Sequence, residues 1–166
     1  MTCRPGVLVL LCAAAGLCGA CTDGGPPPVY PGPAVCVLGG GFIQFVPLSD
    51  GDSVPLIYGP QGGHHVWGSA RVQYVDAKKL KLTYSLVFPD GTSYSKSRDE
   101  VDLTTPQPDT TGFAPPAAQG WGESLGSRAV VSDPALVAGK HVTLRLDASD
   151  AYGRTCTDMH DIVPTE

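Results

Sequence analysis

From residue 35 onward, apolar and polar residues alternate with a period of two, which is the spacing of a strand with one buried face. In "KLKLTYSLVF", Leu80, Leu82, Tyr84, Leu86 and Phe88 share one face, and Lys79, Lys81, Thr83 and Ser85 share the other. The turn signal "PDGT" follows, and "SYSKSRDEVDL" returns as a hairpin partner. "HVTLRLDA" puts Val142, Leu144, Leu146 and Ala148 inward, "SDAYGR" turns, and "TCTDMHDIV" runs back. "HHVWGSARVQYV" lines up Val66, Ala70, Val72 and Tyr74. "CVLGGGFIQFV", read as a single strand, and "SRAVV" complete a set of about seven strands with no helix. Strands with one apolar face must bury it against a second sheet. The expected class is therefore all-β, an antiparallel β-sandwich over residues 35–166.

One stretch breaks the pattern. Residues 104–126, "TTPQPDTTGFAPPAAQGWGESLG", have no periodicity and many breakers. A loop this long is uncommon in a compact domain unless it has a function or stays unstructured. Its Phe113 and Trp121 are candidate contacts for a partner, or else covers for a sheet edge.

The closing segment "VTLRLDASDAYGRTCTDMHDIVP" resembles the last hairpin of immunoglobulin and fibronectin type III domains of bacterial surface proteins, in which Asp and Gly sit in the turn. The resemblance implies an immunoglobulin-like sandwich. It implies no single activity, because that fold carries many. The tryptophan and disulfide pattern of antibody domains is absent, since neither Trp67 nor Trp121 sits where it belongs. In such sandwiches the first and last strands often lie side by side and parallel. That arrangement would bring Cys36 and Cys156, each at a strand start, to one pole and pair them.

Composition adds the compartment. Gly and Pro number 21 and 16, and charged residues make up only 16%. This suits many short strands and turns better than helices. The opening "MTCRPGVLVLLCAAAGLCGAC" has one positive residue, Arg4, then an apolar run from Val7 to Leu17, then small residues. Residues 1–20 read as a secretory signal peptide, too short to span a bilayer as a helix. "LCGAC" resembles a bacterial lipobox, with Cys18 where a leucine is usual. The resemblance implies that Cys21 is lipidated and begins the mature chain. Residues 21–34, rich in Gly and Pro, then read as a flexible tether. The chain would be exported, anchored by lipid at the bacterial outer membrane, the cell surface or the periplasmic side.

Charge narrows the partners. The net charge is −5 with scattered basic residues, so no basic patch is available for nucleic acid. The expected partners are the membrane, through the anchor, and a protein or envelope polymer.

Catalytic signatures are missing: there is no Gly-x-Ser-x-Gly, no His-Glu-x-x-His and no phosphate-binding glycine loop. The expectation is a binding or structural module rather than an enzyme. "CTDMH" has the residue types of a blue-copper site, but Cys156 and Met159 point to opposite faces of a strand. "SDGDS" lacks the further acidic ligands of a calcium loop and reads as a turn. "GPQGG" reads as a turn that feeds a strand opened by His64 and His65. Alternating strand direction predicts that His64, His65, His141 and His160, with Asp161, gather at the pole away from the tether. The stretch reads first as a plain turn with surface histidines. The alternative is a divalent metal held there, which would make the chain a metal-binding accessory lipoprotein.

Overall fold

The computed structural model describes residues 28–60, 62–76, 78–103 and 121–166, with the backbone alone given for 95–100. Residues 1–27, including Cys21, the signal segment and the first part of the tether, lie outside the described residues, as does Phe113.

Among the described residues, ten strands form two five-stranded sheets. They are β1 (Val35–Gly40), β2 (Val46–Pro47), β3 (Asp52–Pro55), β4 (Ile57–Tyr58), β5 (His64–Gln73), β6 (Leu80–Val87), β7 (Ser93–Val101), β8 (Gly122–Val131), β9 (Val142–Asp150) and β10 (Thr155–Thr165). A 3-10 turn at Pro134–Leu136 is capped by the Asp133 carboxylate. In the first sheet β5 is central: β8 runs along one edge, and β1 and then β4 pair with it on the other path, with β2 outside β1. The second sheet has the order β3-β10-β9-β6-β7. All pairs are antiparallel except β3 with β10.

The alternation read from sequence is what fills the core. Leu80, Leu82, Tyr84 and Leu86 of β6 are buried, as are Val142, Leu144, Leu146 and Ala148 of β9. They meet Leu38, Val66, Ala70, Val72, Ala129 and Val131 of the first sheet in one cluster. Tyr74, grouped with that inward set by spacing, leaves it because its φ of 59° turns the chain at the end of β5.

Four expectations need correction. The run "CVLGGGFIQFV" is not one strand: Gly41, at φ 95°, starts a turn, and β2 folds back onto β1. The breaker-rich stretch does not run to residue 126. Gly122–Leu125 already belong to β8, whose register shifts opposite Gly68 and Ala70 while Gly126 takes φ 67°. That bulge hid the period-two signal. The tether is also shorter at its far end. Arg154 donates from Nε to the Tyr74 carbonyl and from its terminal nitrogen to the Gly32 carbonyl, and its guanidinium lies 4.6 Å from the Tyr30 ring centroid. The end of the tether segment is thus held on the domain. Finally, β1 does not pair with β10. The parallel neighbour of β10 is β3, and β1 lies in the other sheet.

Cys36 and Cys156 nonetheless stand at disulfide distance, with Cα atoms 5.7 Å apart. The bridge spans the two sheets rather than two strands of one. Two residues along, the Leu38 amide donates to Asp158 Oδ2 at 2.7 Å, so β1 and β10 run in the same direction on facing sheets. At the same pole the Asp150 carboxylate accepts from the amides of Asp76, Tyr152 and Arg154, closing the β9–β10 turn.

Candidate functional site

The outward face of the first sheet is not polar. Register places Ile57, His65 and Val130 in one row across β4, β5 and β8, and Trp67 beside Arg128 in the next. Side chains directly opposite in an antiparallel pair share a face. Phe42, in the turn after β1, packs on Trp67 with ring centroids 4.7 Å apart. His65 meets the same indole edge-on at 4.8 Å, and the Arg128 guanidinium lies 5.7 Å from its centroid. Phe42, Ile57 and Val130 are exposed. Further along the face Arg71 is neutralised by Glu123 at 2.8 Å and covered by Phe45 at 4.3 Å. Arg128 meets no carboxylate among the described residues.

"GPQGG" is the turn that closes one end of this face. The Gly59 amide donates to the Gly63 carbonyl, and the Gly62 amide to the Gly59 carbonyl. Gly62 and Gly63 both take φ 83°, where a side chain would be strained. A Cβ at Gly59 would lie 3.2 Å from His65 Cε1, so the absence of a side chain lets the turn close over the imidazole. This is why His65 is only 6% exposed although it points outward. His64, its neighbour, sits at the rim with its ring 5.3 Å from Tyr58. Between the turn and β8 lies a cleft of about 220 Å³, lined by Gly59, Pro60, Gly62, His64, His65, Arg128 and Val130.

Burial pushes the His65 imidazole below its ordinary pKa, and the charges of Arg128 and His64 add to the shift. The sign is fixed by linkage. A base whose folded pKa is depressed binds its proton more readily when unfolded, so stability is full above the unfolded value and falls with pH below it. We expect the melting temperature of the protein to decline from about pH 6.5 downward. His65→Gln should flatten that decline. An unchanged slope in the variant would place the effect elsewhere. Asp50 and Asp147, whose carboxyls are held below the usual range by hydrogen bonds from the Asp161 amide and the Arg145 guanidinium, act only at more acidic pH.

The remaining histidines belong to the other sheet. His141 Nδ1 lies 2.7 Å from Asp161 Oδ2. His160 sits between Asp50, at 3.3 Å, and Asp158, at 3.5 Å. Asp50 also accepts from the Asp161 amide, and the Gly51 amide donates to the Asp161 carbonyl. This network fastens the "SDGDS" turn to β10. Strand direction does put His64, His65 and His141 toward the end away from the disulfide, but on two sheets. His141 is brought to Asp161, and His64 to His65, while the four histidines form no common group. Among the described residues no set of three or more His, Cys, Asp or Glu could hold a metal ion. Trp121 is half-buried immediately before β8.

Sequence reading missed Arg128 and the part played by Phe42. The signal for Arg128 was present in "SRAVV", where Ala129 and Val131 take the inward places and leave Arg128 and Val130 outward. No family model, curated protein or solved structure matches this chain.

Proposed function

We propose that the chain is a non-enzymatic binding module of the cell envelope, anchored through Cys21 and built on an immunoglobulin-like sandwich. The parallel β3–β10 edge and the closing β9–β10 hairpin support that fold assignment. The cysteine pair supports export to an oxidising compartment. The single observation that carries the binding reading is the outward face around Trp67. Isolated exposed apolar side chains are ordinary, but a contiguous set rimmed by polar groups marks an interaction surface. Here Phe42, Ile57, Trp67 and Val130 are contiguous, and the set includes the aromatic and arginine types that dominate interface energetics.

The partner that fits is a protein. Aliphatic Ile57 and Val130 offer dispersion contacts to apolar side chains and no hydrogen bonds to sugar hydroxyls. Placement agrees. The chain enters at the Arg154 pole, and β5 carries His65 and Trp67 away from it, with ten residues at ~3.3 Å each spanning roughly 30 Å. An anchor on Cys21 would leave His65 and Trp67 toward the end of β5 that lies away from where the chain enters the domain.

The test has two parts. The mature protein is weighed from a bacterial membrane fraction: acyl mass on a chain beginning at Cys21, lost with Cys21→Ser, is expected, and an unmodified soluble chain defeats the anchor. A photo-reactive phenylalanine analogue is then placed at Phe42 and, separately, at Thr157 on the second sheet. A discrete adduct from position 42 alone, abolished by Trp67→Ala, is expected. Equal labelling from both positions, or from neither, defeats the binding face.

A further inference from the structure

We infer that the cleft between the β4–β5 turn and β8 is a receptor for a single carboxylate carried by an acidic, apolar-flanked segment of the partner protein. The inference rests on the binding face proposed above and names the chemistry of its anchor point. Arg128 supplies the first ground. It lies in a chain of net charge −5, yet no carboxylate among the described residues reaches it, whereas Arg71 on the same face is paired with Glu123. A guanidinium presents a planar fork that matches a carboxylate with two parallel hydrogen bonds.

His65 supplies the second. Its ring is buried, touches Trp67, and makes no hydrogen bond among the described residues. The ring lines the cleft and its nitrogens stay open to solvent there, so a ligand in the cleft can supply the hydrogen-bond partner that the described residues do not. The groups facing the imidazole are His64 on its own strand and Arg128 on β8, with Trp67 and the Gly59 turn closing the other sides. No acid lines the cleft among the described residues.

Charge and size select the anion. Arg128 is the one permanently charged side chain lining the cleft among the described residues, and a single guanidinium balances a carboxylate and not a doubly charged phosphate. A volume of about 220 Å³ admits one small group, not a chain of sugars. Ile57 and Val130 beside the cleft favour apolar neighbours on the ligand. A bound carboxylate would also offset the repulsion between Arg128 and a protonated His65. Proton uptake and carboxylate binding are therefore linked, and affinity should rise as pH falls.

The experiment uses the exported chain with Cys21→Ser, which differs only at the anchor. Imidazole and guanidinium NMR signals are followed while four probes are added: a capped tripeptide with glutamate between two leucines, the same peptide with glutamine, glucuronate, and inorganic phosphate. The glutamate peptide should shift the His65 and Arg128 signals and bind at least tenfold more tightly than the glutamine peptide. Its affinity should increase severalfold from pH 7.5 to 5.5. Arg128→Gln should remove the preference for glutamate, and His65→Gln should remove the pH dependence while Arg128 still responds. Tighter binding of phosphate or glucuronate overturns the assignment to an acidic polypeptide. No response of His65 to any probe overturns the receptor altogether. Neither failure touches the crosslink from Phe42, which tests the wider face independently.

Discussion

Cys36→Ala combined with Cys156→Ala should lower the unfolding free energy by about 4–5 kcal/mol. The bridge closes a loop of 120 residues, nearly the whole domain, and a longer loop removes more entropy from the unfolded chain. Its place in the fold adds a second reason. Strands within each sheet are held by ladders of backbone hydrogen bonds, but β1 and β10 belong to different sheets and share none. Besides apolar packing, the bridge and the bond from the Leu38 amide to Asp158 tie these two strands. Alanine leaves the buried Cys36 site and the half-buried Cys156 site apolar, so the loss reports the cross-link and not a new polar group. Urea unfolding of the wild type with and without reductant, beside the double variant, checks this. The reduced wild type and the variant should agree with each other and melt about 8 °C or more below the oxidised protein, given roughly 2–8 °C per kcal/mol for domains of this size range. A variant within about 1 kcal/mol of the oxidised wild type would show that the bridge constrains little.

The expectation of this pair illustrates what sequence could and could not reveal. Alternation gives the face of each residue, and hairpin turns give the direction of the next strand. That was enough for β6–β7 and β9–β10, where Leu80 to Leu86 and Val142 to Ala148 alternate without interruption. Direction alone also put Cys36 and Cys156 at one pole. It did not say which sheet each strand joins. The edge partner of β10 is β3, four residues ending in Pro55, too short to show a period. The same ambiguity governs the histidines. Their end of the sandwich follows from direction, but the split of His64 and His65 from His141 and His160 follows from sheet membership, which no local pattern encodes. The cleft was legible in part. "GPQGG" announced a turn, and adjacent His64 and His65 announced opposite orientations. That Gly59 would fold back over His65, and that Arg128 would stand across from it, depends on the pairing of β5 with β8. The bulge at Leu125–Gly126 disguised the first half of β8 as loop.

The second large effect is expected where Gly68 of one sheet meets Tyr84 of the other. Gly68 of β5 faces the ring of Tyr84, which reaches across the core from β6 and is 1% exposed. A Cβ at Gly68 would stand 2.7 Å from Tyr84 Cδ1 and 3.0 Å from Cε1, inside any normal carbon contact. The ring cannot swing away easily, because Leu82 and Leu86 flank it on β6 and its backbone is paired on both sides, with Leu146 and Lys96. Gly68→Ala should therefore cost about 1–3 kcal/mol through overpacking, despite replacing a flexible residue in a strand. Tyr84→Ala should cost more, about 3–5 kcal/mol, the range for emptying a buried aromatic site. The two sites are in contact, so their effects should not add. Tyr84→Leu shortens the side chain and opens room opposite β5, and in that background Gly68→Ala should cost far less than it does alone. Urea denaturation of the four proteins in this cycle measures the coupling. A double variant whose loss equals the sum of the single losses would mean that Gly68 is required for backbone freedom on β5 and not for the passage of the Tyr84 ring.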